Sequence, residues 1–145
     1  MPTVRNQVLF VFLLLAHDRR RVIHFNVTAN PRAAWTAQQI VEAFPWQDPP
    51  KYLLRDRDKI YGPRFRKRVV GTIRRECLDH VIVINEKHLK RTLGSYLRYY
   101  HGWRTHRSLE MDSPEPREVH SADRGKGIDV PEVGGLHHHY ERIAA

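Results

Sequence analysis

The chain has 145 residues, a formal net charge of +9 and a single cysteine, Cys77. This length accommodates one ordinary domain and excludes two, while one cysteine excludes an internal disulfide and a multi-cysteine zinc site and fits a reducing, cytoplasmic compartment. Residues 1–114 carry 21 basic residues against 10 acidic ones, so we expect a polyanion-binding surface on this part of the chain.

The first predicted element is the apolar segment Gln7–Ala16, which has nine consecutive apolar residues. Such a segment is typical of a central strand that is covered on both faces. An alternative is the apolar part of a secretory signal, but the segment is too short to span a bilayer and lacks a convincing small-residue cleavage site after it. The alternating segment Arg21–Thr28 predicts an antiparallel partner, so that the two strands form a hairpin.

The middle of the chain predicts helices with one short strand between them. Asn30 and Pro31 predict the start of an amphipathic helix that Pro45 ends. A short strand is expected over Lys51–Leu54. We interpret the segment Arg64–Cys77 as a helix with a basic exposed face.

A second clear helix is predicted to begin after the capping residue Asn85. Its apolar face is formed by Leu89, Leu93, Tyr96, Leu97 and Tyr100. The order strand, strand, helix, strand predicts an α/β sheet with covering helices. Residues 115–145 lack periodicity and contain four glycines, which predicts a loose, flexible tail. Its run His137–His139 is a poor shared metal site, because neighbours on an extended chain point to opposite sides.

Two segments carry residues suited to phosphate or metal chemistry. Asp56 stands at the expected end of the short strand, where open α/β sheets tend to place ligand-binding groups, and Mg²⁺ binds one or two such carboxylates together with substrate phosphates. Its neighbours Arg55 and Arg57 are placed to meet those phosphates. A solvated turn with mutually satisfied charges is the alternative.

The second segment, YYHGWRTHRSLEMDSP at residues 99–114, places Arg104 and His106 close to Trp103. A backbone phosphate held by these cationic groups beside an aromatic ring is one interpretation. The other is a segment that packs Trp103 and Leu109 against the body and leaves its charges in water.

Three segments, in order, resemble the catalytic core of insertion-sequence transposases and retroviral integrases. TANPRAAWTAQQIVEAFPW at 28–46 is similar to a helix of that family, RDRDKIYG at 55–62 to its second acidic motif, and residues 99–114 to its closing Arg-x-His-x-x-Leu signature followed by proline. The similarity covers residues 2–114. It implies an incomplete RNase H-like fold, an antiparallel hairpin with further strands and covering helices.

The resemblance also implies metal-dependent polynucleotidyl transfer, in which three carboxylates hold two Mg²⁺ or Mn²⁺ ions on the scissile phosphate. Asp56 matches the second carboxylate. The first is expected on a strand before the hairpin, yet no Asp or Glu precedes Asp18, and an alignment without a gap puts Lys67 at the third. We therefore expect a core that is shortened at the N-terminus, internally deleted and inactive. Arg74 matches a DNA-facing residue of the family, and its neighbour Arg75 is assigned to the same surface.

The expected function is that of a mobile-element protein derived from an enzyme of DNA integration and transposition. Its expected partner is DNA, together with a full-length transposase or a second copy of itself, and neither a membrane nor a small-molecule substrate is expected. The alternative is a basic nucleic-acid-binding protein without catalysis, which modulates a full-length transposase.

With Mg²⁺ or Mn²⁺, we expect this chain neither to nick a labelled duplex nor to transfer its strands, because a single Asp cannot hold two metal ions. The measurement is a gel assay that compares the chain with its Asp56→Asn variant. Metal-dependent cleavage that disappears in the variant would contradict the expectation of an incomplete site.

Overall fold

The computed structural model describes residues 1–16, 21–45, 63–118 and 120–143. The strands and α-helices of these residues, in chain order, are β1 (Phe10–Leu15), β2 (Val22–Thr28), α1 (Ala33–Ala43), α2 (Pro63–Glu76), α3 (Glu86–Gly102), β3 (Lys126–Glu132) and β4 (His137–Ile143). The described chain is mixed α/β, with two antiparallel hairpins, β1–β2 and β3–β4. The predicted strand Lys51–Leu54 lies outside the described residues.

The first hairpin confirms the predicted pairing of the two N-terminal strands, with Phe10 opposite Thr28. The central position predicted for this first strand stays a prediction. Within the described residues β1 pairs with β2 alone, and the Phe10 side chain is 46% exposed. The apolar residues of β1 contact different neighbours. Leu13 packs against the main core, and Phe12 meets the Trp35 ring of α1 edge-on at 6.1 Å between centroids.

Helix α1 confirms the predicted amphipathic helix, but it begins later than expected. Its N-cap is Arg32, because the backbone N–H of Asn30 donates to Thr28 Oγ1 at 3.0 Å and holds a turn at the end of β2. The buried Gln39 fixes the helix on the hairpin. Its Oε1 accepts a hydrogen bond from Asn26 Nδ2 at 2.6 Å, which gives this oxygen of a buried side chain a partner.

Helices α2 and α3 confirm the two later helix predictions. The Asn85 side chain accepts a hydrogen bond from the backbone N–H of His88 at 2.8 Å, as an N-cap does. All five residues predicted for the apolar face of α3 are at most 4% exposed. They form one core with residues of the first hairpin, α2 and the segment after it, namely Leu9, Val22, Val27, Val69, Ile73, Cys77 and Val83.

The expectation of a loose tail is wrong for residues 126–143, which form the regular hairpin β3–β4. Lys126 lies opposite Ile143 and Glu132 opposite His137. Gly134 and Gly135 occupy the connecting turn with φ of 68° and 88°, a left-handed conformation that suits glycine. The glycines that suggested looseness therefore make a tight turn possible.

In the parts of the chain that the structure describes, no helix has the length and apolar character needed to cross a membrane.

Candidate nucleic-acid interface

One side of helix α3 carries a row of exposed cations. They are Lys87, Lys90, Arg91 and Arg98, and their spacing of three, four and eleven residues from the first places them on one helical face. No ion pair joins any of them to another described residue. The row therefore presents positive charge that no carboxylate of the described segments pairs with.

The cations border a groove of about 650 Å³ between α3 and β2. The β2 wall presents Ile23 and Phe25, and Leu97 of α3 continues this apolar surface. Gly94 lies in the middle of the row, where a Cβ would lie 3.5 Å from Phe25 Cζ. Because glycine has no side chain, the Phe25 ring and α3 approach each other closely at this point. Among the described lining residues there is no Asp or Glu.

His101 closes one end of the groove as a neutral, structural residue. Its Nε2 accepts a hydrogen bond from the backbone N–H of Val22 at 3.0 Å, which satisfies the first N–H of β2. Burial lowers the pKa of His101, with Glu115 opposing and Arg21 reinforcing that shift. The histidine orients β2 against α3 and adds no charge to the groove at neutral pH.

Arg104, which the sequence suggested as a phosphate ligand, is paired with Glu76 at the end of α2. Its Nε donates to Glu76 Oε2 at 2.6 Å and its Nη2 to Oε1 at 2.5 Å, while the Tyr96 hydroxyl donates to Oε2 at 2.8 Å. Burial alone would raise the pKa of Glu76, but the hydrogen bonds from Arg104 and Tyr96 and the charge of Arg104 hold that pKa below its ordinary value. The bidentate pair fastens α2 to the segment after α3.

His106 is part of the same cluster and is only 4% exposed. Arg104 Nη1 donates to His106 Nδ1 at 2.9 Å, so this ring nitrogen carries no proton. The imidazole also meets the ring of Tyr100 edge-on at 5.0 Å between centroids. DNA binding by Arg104 and His106 remains a prediction, and the structure gives both side chains partners within the protein.

The other predicted site residues are not brought to the groove. Arg74 and Arg75 are exposed on α2, and Arg74 Nε donates to Asp79 at 3.3 Å. Arg55, Asp56 and Arg57 lie outside the described residues. DNA contacts at these positions and a metal ion at Asp56 therefore stay predictions.

No group of three or more His, Cys, Asp or Glu residues that could hold a metal ion occurs in the described segments. Glu76 does not suit this role either, because Arg104 and Tyr96 occupy its carboxylate oxygens. The donor sets of the described residues do not fit Mg²⁺ or Mn²⁺.

The three consecutive histidines of β4 alternate as predicted for an extended chain, with His138 exposed. His137 stacks on Tyr99 at 4.6 Å between centroids with 7° between planes, and its Nε2 donates to the Glu76 carbonyl at 2.6 Å. His139 stacks on Trp103 at 3.7 Å with 13° between planes. Two of the histidines thus dock the hairpin on an aromatic face of α3 and its C-cap.

Carboxylates flank the imidazole of His139, which is 8% exposed. Nε2 donates to Glu141 Oε1 at 3.2 Å. Nδ1 lies 3.2 Å from Glu132 Oε1, but the contact lacks hydrogen-bond geometry. This packing role could not be predicted from the sequence, since it depends on where the hairpin docks.

Comparisons of this chain with protein-family models, with curated proteins and with solved structures found no match.

Replacing Glu76 by Gln should lower the free energy of unfolding by about 1–3 kcal/mol, because the change leaves the half-buried guanidinium of Arg104 without its counter-charge. Urea unfolding followed by circular dichroism measures the loss. The folded-state pKa of Glu76 lies below its ordinary value of 4.5, so the contribution is present above that pH and lost below it. The gap between the two proteins should therefore narrow as the pH falls below 4.5.

The matched control is Asp129→Asn, which removes an exposed carboxylate of β3 and should change stability by less than about 0.5 kcal/mol. An equal effect of the two substitutions at neutral pH would show that the Glu76–Arg104 pair has no special structural role.

Proposed function

We propose that this chain binds nucleic acid through the groove between α3 and β2. The observation that carries the proposal is the row of four exposed cations beside an open groove, with no described acidic residue among its lining. Polynucleotide phosphates are the ligands that such a row of Lys and Arg side chains recognises. The net charge of the whole chain, +9, favours the same class of partner.

We further propose that the chain descends from the catalytic core of a mobile-element transposase or integrase. The proposal rests on three sequence segments in the family's order, and an RNase H-like core with a divalent metal ion at Asp56 is part of it. In the printed sequence the resemblance matches Asp56 alone among the carboxylates, and a two-metal site needs more. The proposed activity is therefore DNA binding without cleavage, which acts on a full-length transposase by competing for DNA or by pairing with it.

Neutralising the groove should weaken binding and flatten its dependence on salt. The triple variant Lys87→Gln, Lys90→Gln and Arg91→Gln removes three phosphate-binding charges, each of which contributes about 0.7–0.9 to the slope of log K against log salt. The magnitude of the slope should fall by about 2–3. Fluorescence anisotropy of a labelled oligonucleotide at several salt concentrations provides the measurement.

The matched control removes the same charge elsewhere, with the triple variant Arg5→Gln, Arg32→Gln and Lys126→Gln. These three residues are exposed and lie outside the groove. A double variant, Arg74→Gln with Arg75→Gln, tests the surface of α2 that the sequence suggested. If the control and the groove variant lower the slope equally, binding follows net charge and the groove is not the site.

A further inference from the structure

We infer that the ligand of this groove is a single-stranded polynucleotide rather than a duplex. The inference rests on the proposed function and adds the class of nucleic acid. It comes from the two unlike walls of the groove. The α3 wall carries all four cations, whereas the β2 wall presents Ile23 and Phe25 on the strand face that points toward Gly94.

A single strand has two chemically different sides, and they match these two walls. Its phosphates are anionic and suit the row from Lys87 to Arg98. Its bases are flat and apolar on their faces, and an aromatic or apolar surface is what they stack against when no sequence is read. The ring of Phe25 is partly buried and Ile23 is exposed, so the β2 wall offers such a surface directly across from the cations.

A duplex fits the same groove poorly, because its bases are stacked inside and its outer surface carries phosphates on both strands. A helix reads duplex DNA by entering the major groove, which is about 12 Å wide. Helix α3 cannot protrude in that way, since its apolar face is buried in the core and its basic face borders a concave groove with β2.

The length of the row suits a short segment of one strand. Lys87 and Arg98 are eleven residues apart, which spans about 16 Å along a helix that rises 1.5 Å per residue. A stacked strand advances about 3.4 Å per nucleotide, so the row accommodates about five nucleotides. His24 points away from this path, because its Nε2 donates to Gln39 of α1 at 3.0 Å.

Gly94 gives the inference a direct test. A Leu at this position would displace the Phe25 ring, which a Cβ would already contact at 3.5 Å, without removing any cation. It would not weaken the helix itself, since glycine is a poorer helix residue than leucine. The matched control is Gly94→Ala, whose Cβ would make only ordinary contacts with Phe25 at 3.5 Å and Arg98 at 4.0 Å.

The experiment measures anisotropy of labelled 20-nucleotide probes of mixed sequence, as single-stranded DNA, single-stranded RNA and duplex DNA, at one salt concentration. We expect the wild-type chain to bind a single strand at least about tenfold more tightly than the duplex. Gly94→Leu should weaken single-strand binding about tenfold, and the smaller Gly94→Ala change should weaken it less. The DNA and RNA probes distinguish the two sources of such a strand.

Circular dichroism shows whether Gly94→Leu folds. If it does not, a second variant tests the same wall of the groove. Ile23→Thr keeps a β-branched residue in β2 and removes apolar surface from the wall, so it should weaken single-strand binding and leave duplex binding unchanged. Duplex binding that equals or exceeds single-strand binding overturns the inference and leaves the proposed function standing. No binding to any probe overturns the proposed function itself.

Discussion

Burial of one face of α3 is the constraint on which the rest of the described structure depends. Three of its residues, Leu89, Leu93 and Tyr96, have no exposed surface, and full burial of a large apolar side chain contributes about 1.5–3 kcal/mol each. This face packs against the first hairpin and α2. Two other sides of α3 then carry different kinds of side chain.

On one side of α3 the cations face the groove with β2. On the other side the rings of Tyr99 and Trp103 stack on the histidines of β4. The Glu76–Arg104 pair joins α2 to the end of α3 and so stabilises both arrangements. Gly94 sits on the groove side although glycine costs a helix about 0.5–1 kcal/mol relative to alanine. A Cβ there would lie 3.5 Å from Phe25 Cζ, so the glycine lets the Phe25 ring approach α3 beside the cations.

The sequence predicted those features that depend on local periodicity. The first hairpin, the three helices, the Asn85 cap and the buried face of α3 all follow from residues near one another in the chain. The row of cations on α3 follows the same helical spacing. The groove beside it, however, forms only because β2 packs against α3, and local spacing does not predict that contact.

Contacts between distant residues were beyond sequence reasoning. Glu76 and Arg104 are 28 residues apart and His137 lies 61 residues from Glu76, and nothing in local spacing links them. The tail was predicted to be loose because it lacks periodicity and contains four glycines, but residues 126–143 form a paired hairpin whose histidines stack on Tyr99 and Trp103. The carboxylate that pairs with Arg104 comes from a different helix, so this pairing could not be predicted from local spacing either. In the sequence alone, Arg104 and His106 therefore looked available as ligands for phosphate.

Backbone amide NMR shifts during titration with a single-stranded oligonucleotide test the central claim most directly. If the groove binds nucleic acid, the largest shifts should fall on residues 87–101 of α3 and 22–25 of β2, with little change in the β3–β4 hairpin. Shifts confined to α2 and residues 104–107, or to the hairpin, would contradict the assignment of the groove as the binding site.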